Sequence, residues 1–332
     1  MKNQALDLSC TYMGLKLKSP LIIGSCGLTY SLEKIRKMQD YGAGAVIMKS
    51  IFEEQIIAET TRSLQELESE YVHPDALGYI KNYTEIASYE KYTNFISQVK
   101  KIVDIPVIAS INCVSDGDWV NYAKRMQDAG ADALELNISI LPVDFSKTSK
   151  DYEDKYLRII NHVKENINIP LAVKTSLYFS SLVKTLQTFH YAGADALVLF
   201  NRFYESDIDI DQMKIISAGI DKEGIGFQTV LRWISIMSSH VDCSLSATSG
   251  VVSGKDIIKQ LLAGADTVQV ATVLYNKGLD HIKTMLDEVK AWMLKHQFNA
   301  IPDFKGKMNY ENVENPEAYL RIQFMKYFAG IE

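Results

Sequence analysis

One phrase recurs four times along the chain, and it constrains the fold more than anything else in it. It reads Tyr41-Gly42-Ala43-Gly44-Ala45, Ala129-Gly130-Ala131-Asp132-Ala133, Ala192-Gly193-Ala194-Asp195-Ala196 and Ala263-Gly264-Ala265-Asp266-Thr267. Each copy is the end of a helix capped by glycine, a tight turn, and the start of a strand. The strands that follow are continuous apolar runs rather than alternating ones, the mark of a parallel sheet covered on both faces. Eight such runs end on a small or polar residue. Helix, glycine and strand repeated around a chain predict a (β/α)8 TIM barrel, whose active site gathers at the C-terminal ends of the strands.

The predicted strands are Pro20–Ser25, Ala45–Ser50, Pro106–Asn112, Ala133–Ile138, Pro170–Thr175, Ala196–Asn201, Cys243–Thr248 and Thr267–Thr272. Ahead of them, Leu8–Leu17 reads as a hairpin turning at Met13-Gly14 and closing the barrel bottom. The polar stretch from Ile51 to about Tyr92 is too long for a plain loop and reads as an active-site insertion after strand two. Helical patterns run over Trp119–Asp128, Tyr156–Asn166 and Gly254–Ala263. From His296 to Glu332 an aromatic-rich C-terminal helical tail is expected to pack back on the barrel or to join a subunit interface.

With 332 residues, the chain suits one barrel domain over residues 1–332 with insertions. A net charge of −6 disfavours nucleic acid and anionic membranes as partners. No apolar run is long enough to span a bilayer. The segment Met1–Asp7 lacks the hydrophobic region of a signal peptide, so a cytoplasmic location is expected. The four cysteines, Cys10, Cys26, Cys113 and Cys243, form no CxxC pair, which argues against a disulfide framework and against a metal site.

The strand ends collect Gly24, Ser25, Lys49, Ser50, Asn112, Asn137, Lys174, Asn201, Thr248, Ser249, Gly250, Ala271 and Thr272. Two lysines and three asparagines converge there, without paired carboxylates or a metal-ligand cluster, which disfavours hydrolytic chemistry. Asparagine amides both donate to and accept from ring carbonyl and NH groups. Small residues after strands seven and eight let backbone NH groups approach a phosphate. The set suits a planar, polar ligand with a phosphate tail. A phosphosugar aldolase or isomerase, with Lys174 as Schiff-base former, is a second reading of the same lysine.

Several of these runs resemble dihydroorotate dehydrogenase and the flavin domain of dihydropyrimidine dehydrogenase. They are Met48-Lys49-Ser50, Ile108–Asn112, Ala129–Ser139, Val173-Lys174, Thr248-Ser249-Gly250 with Ser253-Gly254, and Leu262–Asp266. The resemblance covers most of residues 8–290 and implies an FMN-binding oxidoreductase oxidising dihydroorotate or a related dihydropyrimidine or cyclic acid. It implies that Gly24, Ser25, Lys49, Ser50 and Asn112 contact the flavin, and that Asn137 and Asn201 touch flavin and substrate. It places Lys174 at the reduced ring, and Thr248, Ser249, Gly250, Ala271 and Thr272 around the phosphate. It further implies a soluble electron acceptor or a separate electron-transfer subunit, and a homodimer.

The chain departs from that pattern at Ile140, at Pro142, where the family has asparagine, after strand two, where the Asn-x-x-Gly-x-x-Asn stretch is not evident, and at Arg202. The family's catalytic base, Cys or Ser, stands where this chain has Ile140 in Asn137-Ile138-Ser139-Ile140-Leu141-Pro142, and isoleucine accepts no proton. Arg202 replaces the small hydroxyl residue after Asn201 and suits an anionic substrate. A substitute base is expected among His73, Asp144, Ser146 and Tyr152, with His73 the best by chemistry. Ser139 is expected to point away by strand alternation. The alternative is a flavin-binding barrel that has lost dehydrogenase activity or uses another substrate. Cys26 and Cys113 read as buried small hydrophobes.

Overall fold

The four repeats fold as one device. In each, the glycine past the helix adopts a left-handed conformation, with φ of 105° at Gly42, 95° at Gly130, 107° at Gly193 and 112° at Gly264. In three copies the aspartate that follows does two jobs. Asp132, Asp195 and Asp266 accept the backbone NH of Val107, Leu171 and Leu245, at 2.7, 2.8 and 2.8 Å, each at the start of the neighbouring strand. They also pair with Lys100, Lys164 and Lys305 at 2.7, 2.5 and 2.6 Å. The first copy carries Gly44 instead, because a Cβ there would stand 2.0 Å from the Ser19 carbonyl oxygen.

Asp266 is the most enclosed of the three, and its hydrogen bonds are charge-assisted. Asp266→Ala is expected to destabilise the protein by about 1.5–3 kcal/mol, the usual cost of losing a hydrogen bond to a charged group. Urea unfolding monitored by circular dichroism checks this.

The computed structural model describes residues 6–52, 89–112, 118–201, 206–217 and 226–321. Its strands Leu21–Ile23, Ala45–Ile47, Val107–Asn112, Ala133–Asn137, Leu171–Thr175, Ala196–Leu199, Ser244–Thr248 and Thr267–Val270 are joined in parallel in that order. The last pairs with the first, Val268 with Leu21, and the sheet closes into a TIM-barrel-like structure. These are the predicted strands with frayed ends trimmed. The short strand Ile51–Phe52 extends the second along Ile111–Asn112 of the third. Around the outside lie helices that include Leu32–Asp40, 89–100, Asp118–Asp128, Ser149–Lys164, Leu182–Tyr191, Phe227–Met237, Gly254–Ala263 and His281–Lys295. The helix expected from Tyr156 starts at Ser149, where Thr148 and Asp151 form a capping box.

The hairpin pairs Cys10–Tyr12 with Leu15–Leu17 across Met13-Gly14, both at positive φ, and the Met13 NH donates to Ser244 Oγ at 3.0 Å. Tyr12, Met13 and Leu17 pack inside the barrel against Ile22, Ile47, Ile108 and Val198 and against Ala45, Ala133, Ala172 and Ala196. Four alanines in the lowest interior layer leave the space that the fully buried Tyr12 ring fills. The larger apolar cluster lies between sheet and helices.

A second hairpin, Ser206–Asp209 with Lys214–Ser217, follows strand six and was not anticipated. It exposes Ile208, Ile210, Met213 and Ile215. At the tail, the Phe298 ring lies tilted against Trp292 and the buried Phe304 meets it edge to face, so that part packs back on the barrel. A short helix spans Glu317–Leu320, while Phe324, Tyr327 and Phe328 lie outside the described residues, as does most of the insertion after strand two. Among the described residues no helix is long and apolar enough to cross a membrane.

Candidate active site

A cavity of about 740 Å³ opens at the C-terminal ends of the strands. Parallel strands aim alternate side chains into the barrel, and in strand four these are Ala133, Glu135 and Asn137. In strand five they are Ala172 and Lys174, and the register sets Asn137 beside Lys174. Of the predicted site residues, Ser25, Lys49, Ser50, Asn137, Lys174, Asn201, Thr248, Ser249, Gly250, Ala271 and Thr272 line this cavity. Gly24 and Asn112 stand at the ends of strands one and three but outside the lining. His73 and Arg202, together with Cys113, fall outside the described residues.

The polar groups form three networks. Ser25 Oγ lies 2.9 Å from Ser50 Oγ and accepts the Ser50 NH at 2.8 Å, and Ser50 Oγ reaches the buried Ser110 Oγ at 2.7 Å. Asn201, only 7% exposed, donates from Nδ2 to Asn137 Oδ1 at 2.7 Å and to Ser139 Oγ. Ser139 is therefore turned toward Asn201, not away as expected: Ala133, Glu135 and Asn137 face inward, and the same two-residue period puts position 139 on their side. Lys49 and Lys174 both line the cavity, and neither has an anionic partner among the described residues. Their charges are available to a ligand.

The cavity floor carries a third network that the sequence reading passed over. Gln269 of strand eight donates from Nε2 to Glu135 Oε2 of strand four at 2.9 Å. The two strands stand opposite one another in the closed sheet, so the bond crosses the barrel. Both residues are at most 2% exposed. The signal was present in Ala133-Leu134-Glu135-Leu136-Asn137, where Glu135 shares the inward face with Asn137. The wall also includes Gly226, Phe227 and Gln228, at the start of a helix whose N-cap position has no side-chain cap.

Against Phe227 the chain bends through Ser249 and Gly250, at φ of 83° and 73°. A Cβ on Gly250 would come within 2.9 Å of Phe227 Cβ and 3.1 Å of the Phe227 backbone nitrogen. The NH groups of Ser249, Gly250 and Val251 donate to no protein acceptor among the described residues. Successive backbone NH groups without protein acceptors can hold an anion.

Burial pushes the thiols of Cys10 and Cys243 up to about 12, whereas Cys26 lines the cavity. At pH 8 only about one in 10⁴ of the first two is thiolate, and thiolate is the reactive form. Iodoacetamide at pH 8 is expected to modify Cys26 and spare Cys10 and Cys243, with modification of Cys26 slowed by a ligand filling the cavity. Peptide mass spectrometry reads this directly.

Two comparisons place the chain among known proteins. Residues 7–293 match the family model for dihydroorotate dehydrogenase. The catalytic subunit of dihydroorotate dehydrogenase B (NAD(+)) from Thermoplasma acidophilum is 26% identical over 306 residues, 90% of this chain and 98% of the relative. The NAD-dependent dihydropyrimidine dehydrogenase subunit PreA of Escherichia coli K12 is 26% identical, over 91% of this chain and 77% of the relative. The chloroplastic dihydropyrimidine dehydrogenase (NADP(+)) of Arabidopsis thaliana is 27% identical, over 90% and 76%. The matched residues run from the hairpin through the helix after strand eight, and the chain belongs to the dihydroorotate dehydrogenase family.

Proposed function

We propose that the protein is an FMN-dependent oxidoreductase that oxidises dihydroorotate or a closely related dihydropyrimidine or cyclic acid. One observation carries the reading: Lys49 and Lys174, without ion-pair partners among the described residues, two asparagines, and backbone NH groups with no acceptor among those residues line a single cavity in a chain of this family.

The donor set fits FMN. Ser249, Gly250, Ala271 and Thr272 would hold the phosphate, through backbone NH groups that a Cβ at Gly250 would displace. Lys49, Ser25 and Ser50 would lie beside the ring, and Lys174 would neutralise negative charge on it. When bound, FMN supplies the two-electron hydride acceptor. Asn137 and Asn201, tied to each other, would orient the substrate ring by offering amide donors and acceptors in fixed directions. Arg202 would pair with a substrate carboxylate. A cytoplasmic homodimer that passes electrons to a soluble acceptor or a separate subunit completes the reading.

Titrating the FMN-depleted protein with FMN, followed by flavin fluorescence, tests the cofactor. The expected result is one FMN per chain. A protein that takes up no FMN sinks the reading and returns Lys174 to the aldolase alternative, which borohydride trapping with a phosphosugar would support. A second reading, a flavin-binding barrel without dehydrogenase chemistry, is favoured by Ile140 at the family's base position. Bound FMN that no dihydropyrimidine reduces would select it.

A further inference from the structure

The reaction proposed above removes a hydride from one ring carbon and a proton from its neighbour, so the site needs a proton acceptor. We propose that the Ser139 hydroxyl is that acceptor, in place of the side chain at position 140. The inference rests on the dehydrogenase reading and deepens it.

The backbone on either side of Ser139 is pinned. Tyr156, buried beneath the loop, donates its hydroxyl to the Ile138 carbonyl at 3.2 Å and accepts the Ile140 NH at 3.4 Å. Ile138 is buried, its NH donates to the Lys174 carbonyl at 3.2 Å, and Ile140 packs against the core. With both neighbours packed in the layer between sheet and helices, the side chain of Ser139 is turned to the other side, against Asn201 of the cavity lining. Its Oγ accepts a hydrogen bond from Asn201, the same amide that holds Asn137. Its own O–H has no acceptor among the described residues, and the residue is exposed to solvent. An oxygen placed by the substrate-orienting amide, with a free path to water, is arranged to receive a proton and pass one on.

Its rivals are occupied. Asp144 accepts from Ser146 N and Oγ and pairs with Lys147, which holds its carboxyl down to about 2 and makes it a poor base. Its NH donates to the Tyr152 hydroxyl at 3.0 Å, so Asp144, Ser146 and Tyr152 close a loop of their own, whereas Ser139 touches Asn201 of the cavity lining. Lys49 and Lys174 are cations, as is Lys277 in the same lining. His73 lies outside the described residues.

The step balances. The substrate carbon next to the hydride donor gives its proton to Ser139 Oγ as the O–H bond of Ser139 gives its proton to a water molecule. The hydride and its electron pair leave for the bound flavin, and a carbon–carbon double bond forms. The substrate is oxidised, and the flavin is reduced, by two electrons.

Ser139→Ala and Ser139→Cys holoenzymes test this. Ser139→Ala should keep FMN content and orotate affinity, read from the perturbed flavin spectrum, within about threefold, while anaerobic reduction by dihydroorotate falls by about 100-fold or more. In Ser139→Cys the new thiol, ordinarily with a pKa near ~8.5, should give a reduction rate that climbs with pH toward that value. The same thiol should be alkylated by iodoacetamide and protected by orotate, a readout independent of turnover. Reduction of Ser139→Ala at the wild-type rate, or alkylation indifferent to orotate, overturns the assignment alone. Wild-type holoenzyme that neither dihydroorotate nor dihydrouracil reduces overturns the substrate reading and the base with it.

Discussion

Lys174→Ala is expected to slow anaerobic reduction of the bound flavin by its substrate about 10²–10³-fold. The Lys174 side chain stands on the inward face of strand five, beside Asn137 and above the Glu135–Gln269 floor. It has no ion-pair partner among the described residues, so its charge is not already spent on the protein. A fixed cation in a site of low dielectric stabilises developing negative charge by a few kcal/mol, and removing one such group typically costs that factor. FMN affinity should fall less, because the phosphate contacts are on other loops. Lys174→Arg, which keeps the charge but not the shape, should recover part of the rate. Stopped-flow absorbance under nitrogen measures all three. A rate unchanged in Lys174→Ala removes that residue from the chemistry.

Gly250→Val is expected to weaken FMN binding about 100-fold. Two costs combine. A β-branched residue at φ of 73° is strained by about 1–2 kcal/mol. The new Cβ would also press on Phe227, whose Cα stands 3.1 Å away. That contact is with backbone, so relief requires the loop itself to move, and with it the NH groups of Ser249, Gly250 and Val251. Gly14→Ala is the control, since Gly14 has φ of 77° but nothing within 4 Å of a Cβ. It should cost about 1 kcal/mol of stability and leave FMN affinity unchanged. Weakening by both variants alike would mean that backbone strain, not the placing of these NH groups, is being measured.

The barrel was legible because its signals are local. Each glycine-capped helix end and each apolar run is written in consecutive residues, and every predicted strand is present with its ends shortened by one to three residues. The Asp of the repeat could be seen but not explained, since its partners Val107, Leu171 and Leu245 sit at the starts of neighbouring strands, more than twenty residues away. The Glu135–Gln269 bond was hidden for the same reason, joining residues 134 positions apart. The expectation for Ser139 was wrong in its parity: 133, 135 and 137 face inward, and 139 falls on the same side. The hairpin at Ser206–Ser217 went unnoticed because its strands are four residues each and their apolar side chains face outward, so they carry no buried-face pattern. The cavity residues themselves were legible where they end a strand and obscure where, as with Gly226 and Phe227, they begin a helix.

In the proposed reaction Lys49 and Lys174, the paired asparagines and the NH groups at the barrel mouth serve one flavin-dependent oxidation. Anaerobic addition of dihydroorotate to FMN-loaded protein, followed in the visible spectrum, tests it most directly. The account predicts that the flavin absorbance bleaches, with one orotate formed per flavin. A spectrum that stays oxidised with dihydroorotate and with other dihydropyrimidines would contradict it.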